Sequence, residues 1–186
     1  MLIYSMSASI DGFVTDRAGR FDWTIPSDEV VRFHLEQVGA LGGYLLGRRL
    51  YETMRVWETD PSLSSTEEGA AFADVWTALP KVVFSRTLGG AGDLGRNTRL
   101  AEESVAEEVA RALEATNDDV SIGGADLAAQ ALRLGLIDEL RVFRYPVVLG
   151  GGTPYLPPLA EPRPFSMIEA RTFASSVVFE RYRSIR

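Results

Sequence analysis

The sequence predicts a three-layer α/β domain built on a mostly parallel sheet, and three observations carry that expectation. Short continuous apolar runs bounded by glycine, such as Tyr44-Leu45-Leu46 and Val120-Ser121-Ile122, suit strands buried on both faces. They alternate with stretches whose apolar residues recur at helical spacing. The chain then closes on Phe165 to Phe173 and Val177 to Tyr182, two segments that read as an antiparallel hairpin around Ala174-Ser175. Strands alternating with helices and ended by antiparallel strands define this class. With 186 residues the chain is one domain, 1–186, since a domain takes roughly 100–200 residues.

The elements follow in order. Leu2 to Ser9 alternates as a first strand, and Asp11-Gly12 and Asp16-Arg17-Ala18-Gly19 turn the chain. Pro26-Ser27-Asp28-Glu29 opens a helix with a capping residue and first-turn acids, and Val30, Phe33, Leu35 and Val38 form its apolar side up to Gly39. After the strand at Tyr44-Leu45-Leu46, Gly47-Arg48-Arg49 opens a second helix carrying Leu50, Tyr51 and Met54. Residues Glu67 to Leu79 make a helix stopped by Pro80, and Lys81 to Ser85 a strand. Leu88 to Gly95 is a glycine-rich loop. Val105, Val109, Ala112 and Leu113 mark the next helix, Val120-Ser121-Ile122 a strand, Gly123-Gly124 a tight turn and Ala125 to Leu134 a helix. Leu140 to Leu149 is a longer strand bent at Pro146, followed by the irregular glycine- and proline-rich stretch from Gly150 to Pro164.

Composition excludes several kinds of chemistry. The chain has no cysteine, hence no disulfide, thiolate nucleophile or cysteine zinc site. One histidine, His34, allows no multi-histidine metal centre, and we assign it no role. Lys81 is the sole lysine and lies in no phosphate loop; every other cationic side chain is arginine, the planar partner of phosphate. A formal net charge of −7 opposes nucleic acid and anionic membranes as partners. The first twelve residues do not read as a secretory signal, and no apolar run reaches the ~20 residues of a membrane span, so a cytoplasmic setting is expected.

Four constellations stand out. Val120 to Asp126 runs strand, two glycines, helix, which lets backbone N–H groups at a helix N-terminus approach a phosphate; a short strand-to-helix connection explains the same residues. Gly47-Arg48-Arg49 places two cations at a helix start, where they oppose the macrodipole unless an anion sits between them, although two solvated arginines are the plain alternative. Ser85-Arg86 ends a third strand. Together the three strand ends point to a polyphosphate cofactor, because open α/β sheets bind ligands there. The fourth is the acid pair Asp11 and Asp28, the latter near Trp23: either carboxyl is a candidate proton donor, and either is an ordinary turn or helix-start residue. The carboxylates at 102, 103, 107 and 108 read as a solvated helix face, and Trp57 and Trp76 as packing.

In this order, Ser7-x-x-x-Asp11-Gly12, Trp23-x-x-Pro26-x-Asp28, Gly47-Arg48-Arg49-x-Tyr51-Glu52, strand-Ser85-Arg86 and Ile122-Gly123-Gly124, the chain resembles the dihydrofolate reductase superfamily. Ile137 to Arg141 followed by Pro146 to Gly152 is similar to the C-terminal reductase domain of the bacterial riboflavin-biosynthesis deaminase–reductase and its stand-alone relatives. The resemblance implies a mixed, mostly parallel sheet of about eight strands with helices on both faces. It implies NADPH as hydride donor and a phosphoribosylamino-pyrimidine as substrate, the alternatives being a dihydrofolate reductase or reductase of another heterocycle, or a non-catalytic nucleotide-binding dimer that keeps the fold. By position, Gly47, Arg48 and Arg49 with Ser85 and Arg86 would hold the adenosine end and its 2′-phosphate. Gly123, Gly124, Ala125 and Asp126 would lie along the pyrophosphate. Asp11, Gly12, Trp23 and Asp28 would face nicotinamide and substrate. It also implies a homodimer, for which Arg141, Phe143 and Tyr145 offer one apolar side of their strand, although packing inside the monomer accounts for the same face.

The sequence departs from folate reductases at two places. Leu50 stands where they carry a threonine that touches cofactor phosphate, and Leu79-Pro80-Lys81 replaces the segment that supplies an arginine for the glutamate tail of folate. No deaminase domain is expected within the chain.

Overall fold

The computed structural model describes residues 1–89 and 94–185, and the expected loop from Leu88 to Gly95 lies partly outside them. Among the described residues ten strands form: β1 (Leu2–Ser9), β2 (Phe13–Thr15), β3 (Leu41–Gly47), β4 (Lys81–Phe84), β5 (Thr98–Leu100), β6 (Asp119–Gly123), β7 (Glu139–Tyr145), β8 (Thr153–Pro154), β9 (Phe165–Thr172) and β10 (Val178–Ser184). The helices are α1 (Asp28–Gly39), α2 (Arg48–Met54), α3 (Val56–Thr59), α4 (Glu67–Ala78), α5 (Val105–Glu114) and α6 (Ala125–Arg133), with a 3-10 turn at Pro61–Ser64.

Eight strands make one sheet in the order β5-β4-β3-β6-β1-β7-β10-β9. The first six run parallel, and β10 runs antiparallel to both β7 and β9. Strands β2 and β8 form a separate antiparallel ribbon. The α/β class, the mostly parallel sheet and the closing hairpin therefore stand as expected.

Alternation along the strands assigns the two layers. Leu2, Tyr4, Leu45, Val82 and Ile122 pack with Val109 of α5 and Leu127, Ala131 and Leu132 of α6. Their neighbours Ile3, Leu46 and Val83 point the other way, onto Val38 of α1 and Phe72 and Trp76 of α4. Farther along that second face, Val30 and Phe33 of α1 cover Phe143, Tyr145 and Phe179.

Three helix starts are closed by side chains. Ser27 caps α1 by accepting from Val30 N–H, Thr66 caps α4 by accepting from Gly69 N–H, and Ser104 with Glu107 forms a capping box on α5. The lone lysine finishes α4: Lys81 Nζ is buried and donates to the carbonyls of Trp76 (2.6 Å) and Leu79 (3.0 Å).

Several expectations need correction. Strand β7 stops at Tyr145 rather than Leu149, because Pro146 cannot donate to a ladder and Val147 N–H turns back onto Tyr145 O. The proposed dimer face of that strand is interior: Arg141, Phe143 and Tyr145 are 7%, 2% and 5% exposed, the two aromatics lying beneath α1. Glu108 is not on a solvated face. It is fully buried and grips the Arg99 guanidinium at 3.0 and 2.5 Å while accepting from Glu102 N–H. His34, by contrast, needs no correction: it packs against Phe143, and burial pushes its pKa down to about 4.

Candidate active site

The parallel strands end along one rim, so Ser9, Gly47, Phe84 and Gly123 finish side by side in the order set by the sheet. Glycine lets the middle two ends touch. A β-carbon on Gly123 would lie 2.6 Å from Leu50 Cδ2, and Gly124 backs onto the Gly47 backbone. Gly124 has φ +95°, a conformation costly for other residues, and as the N-cap of α6 it offers no side-chain acceptor. The first N–H groups of α6, from Ala125 and Asp126 onward, are thus left without a side-chain cap beside Gly47, which is what a polyphosphate requires of a helix start. Leu50, in place of a threonine, packs over Gly123 and offers no hydroxyl there.

The arginines differ in how committed they are. Arg48 pairs with Glu52 one turn along α2 at 3.1 Å. Arg49 and Arg86 are exposed and have no ion-pair partner among the described residues. Ser85 Oγ accepts from Thr87 N–H and Leu88 N–H, so this hydroxyl shapes the turn that carries Arg86.

At the end of β1 the two candidate acids separate. Asp11 accepts from Ser9 Oγ (2.7 Å), Leu149 N–H (3.1 Å) and Gly150 N–H (2.7 Å). The Ser9 hydroxyl, with those two backbone donors, holds its carboxyl below the usual range. An acid held ionised in this way fastens the 149–150 loop to the strand end and is a poor proton donor. Gly12, at φ +84°, makes the turn that follows Asp11. Asp28 is exposed in the first turn of α1, with no hydrogen bond to its carboxyl among the described residues. Trp23 lies edge-on to Tyr145 at 6.0 Å, half-buried at the end of β7.

An open cleft of about 740 Å³ runs between the 16–19 turn, Arg49, and Gly152 and Thr153 of the ribbon. Sequence reasoning reads Asp16 to Gly19 as a plain turn, because the β2–β8 pairing that brings it across from Arg49 has almost no local signal. A smaller apolar hollow of about 330 Å³ beside Leu132, Leu140 and Phe165 lies at the N-terminal end of β7, away from the rim.

A three-layer domain with this eight-stranded sheet and this glycine-lined rim has the dihydrofolate reductase-like fold. The dihydrofolate reductase of Enterococcus faecalis, complexed with NADP(H), superposes with a TM-score of 0.64 at 15% identity, covering 100% of this chain and 97% of that one. More narrowly, the chain matches the RibD C-terminal domain over residues 1–179 and belongs to that family. A Shewanella sp. PV-4 protein provisionally assigned to riboflavin biosynthesis superposes with a TM-score of 0.78 at 22% identity, covering 100% of this chain and 99% of that one. The uncharacterised protein YyaP of Bacillus subtilis (strain 168) is 28% identical over 182 residues, 95% of this chain and 91% of that protein.

Proposed function

We propose that the chain is an NADPH-dependent reductase of a small heterocyclic substrate, of the type that reduces 5-amino-6-(5-phosphoribosylamino)uracil in a cytoplasmic setting. One observation carries it: the start of α6 at Gly124 has no side-chain cap, and Arg49 and Arg86, at the ends of nearby strands, have no ion-pair partner among the described residues, which supports a site for a phosphorylated dinucleotide. Membership of the RibD C-terminal domain family and the NADP(H) complex of the folate reductase relative support the same reading.

NADPH supplies the hydride when bound. The protein's residues do the rest. Gly47, Gly123 and Gly124 would clear the backbone path, Ala125 and Asp126 N–H groups would meet the pyrophosphate, Arg48, Ser85 and Arg86 would meet the adenosine end, and Arg49 would face a phosphate of the bound ligand. Asp11 keeps the 149–150 loop and Gly12 in place at the nicotinamide end. Asp28, exposed in the first turn of α1, would be the carboxyl that delivers or orients the proton for the heteroatom that receives negative charge on hydride transfer. The family resemblance extends this reading to a homodimer, whose interface lies outside the α1-covered face of β7.

Single-turnover oxidation of saturating NADPH, with the phosphoribosylamino-pyrimidine and dihydrofolate side by side, tests the proposal. The pyrimidine is expected to turn over and dihydrofolate to turn over poorly, because the arginine for its glutamate tail is missing. Asp28→Asn should slow turnover by about 10²–10⁴-fold with cofactor binding intact. Rapid turnover of dihydrofolate, or an Asp28→Asn variant at the wild-type rate, contradicts it.

A further inference from the structure

The cleft in front of Arg49 has a second cation that no strand end supplies. Arg17 sits on the exposed turn after β2 and lines the same 740 Å³ space as Arg49. Its placement is built in. Asp11 fixes Leu149 and Gly150 through their N–H groups, and the carbonyl of Gly150 then accepts from Arg17 Nη2 at 2.6 Å. The next two residues can only be glycine. Gly151 and Gly152 have φ of +148° and +140°. A β-carbon on Gly151 would lie 2.6 Å from Arg17 Nε, and one on Gly152 would run into the Thr15 carbonyl. The glycine loop is therefore pressed against residues 15–17 and holds the guanidinium over the cleft.

The charge in that cleft is uncompensated. Arg17 has spent one donor of five on a neutral carbonyl. Asp16 also lines the space, but its carboxylate accepts from Ala18 N–H, Arg20 N–H and Arg20 Nε, and pairs with Arg20 Nη2 at 2.9 Å. Arg49 belongs to the first turn of α2, where a cation opposes the helix dipole. The one carboxylate lining the cleft is thus committed to Arg20, so an anion that enters meets two arginines with no ion-pair partner among the described residues. Phosphate is the anion whose geometry suits two guanidinium groups.

We propose that Arg17 and Arg49 clamp one phosphate group from opposite sides of this cleft, so that the 16–19 turn contributes to ligand binding along with the strand ends. The proposal rests on reading this rim as the reductase site. The phosphate belongs either to the diphosphate bridge of the dinucleotide or to a phosphate monoester on the substrate. Both present the same chemistry to the arginines.

Equilibrium titration by calorimetry with NADPH, NADH and ribose 5-phosphate tests the clamp on the full chain, using wild type, Arg17→Ala, Arg17→Lys, Arg49→Ala and Arg111→Ala. Arg111 is a remote, exposed arginine on α5 that controls for net charge. Arg17→Ala and Arg49→Ala should each weaken binding by about five- to tenfold, Arg17→Lys by less, and Arg111→Ala not at all. Equal losses for NADPH and NADH, which share the diphosphate, assign the clamp to the cofactor. A loss confined to ribose 5-phosphate assigns it to substrate. If wild type binds NADPH but Arg17→Ala binds every ligand as tightly, the clamp is wrong and the reductase reading stands. If wild type binds neither dinucleotide yet ribose 5-phosphate still depends on Arg17, the cofactor reading fails and the clamp stands. Failure of all three ligands to bind wild type overturns both.

Discussion

Glu108 and Asp11 show what a single carboxylate does once its neighbours are known. In the sequence Glu108 is one of four acids around the start of α5, and nothing distinguishes it from a solvated residue. In the fold the guanidinium of Arg99, nine positions earlier, and the Glu102 and Glu103 N–H groups converge on it, and Arg99 foremost holds its pKa at about 2 against an ordinary 4.5. A depressed carboxyl stabilises the native state fully above its unfolded pKa and loses that contribution as pH falls through the folded value. Glu108→Gln should therefore cost about 1–3 kcal/mol near pH 7 in urea unfolding, the range for breaking a buried charge-assisted contact. The deficit should shrink as pH falls from 4.5 towards 2. A deficit that does not change over that window would mean that shape, and not charge, is what Gln fails to supply. Asp11 is the converse case. Its place at the end of β1 was legible, but its partners Leu149 and Gly150 lie 138 and 139 residues away, so its fastening role was not.

The glycine junction of β3, β6 and α6 was the most legible element pair, because an apolar run followed by glycine and a helix start is a local pattern. What a local pattern does not tell is whether a glycine is demanded by backbone or by space. Gly124 has φ +95°, and a β-carbon there would meet its neighbours only at ordinary van der Waals distance, so its demand is conformational. Gly39, at the end of α1, has ordinary backbone and open space. Gly124→Ala should lose about 1–2 kcal/mol of stability, whereas Gly39→Ala should be neutral or gain about 0.4–1 kcal/mol. Urea midpoints of the two variants measure both, and equal effects would remove the special role of the α6 cap. The strands missed entirely were β2, β5 and β8. They are two or three residues long, too short for periodicity to register, and they exist because distant segments pair with them.

The order of strands across the sheet is a property of the whole chain that no window of sequence contains. Placing β6 between β1 and β3 brings Gly123 against Gly47, though 76 residues of chain separate them, and it is this adjacency that turns three separate motifs into one rim. The motif order pointed to the superfamily, and through it to the sheet. Pattern alone left Arg141, Phe143 and Tyr145 open to either an internal or an external partner, and the fold assigns the two aromatics to α1. The same assembly leaves Arg86 exposed on the turn held by Ser85, with no carboxylate partner among the described residues, next to the rim where the 2′-phosphate of NADPH would arrive. A charge-assisted contact to phosphate contributes roughly 1.5–3 kcal/mol, which corresponds to a preference of about tenfold or more. Parallel titration of wild type and Arg86→Ala with NADPH and NADH is the direct measurement. Wild type should prefer NADPH by about tenfold or more, and Arg86→Ala should lose most of that preference by weakening NADPH while leaving NADH nearly unchanged. Equal affinity of the wild type for the two dinucleotides would contradict the assignment of this rim to NADPH.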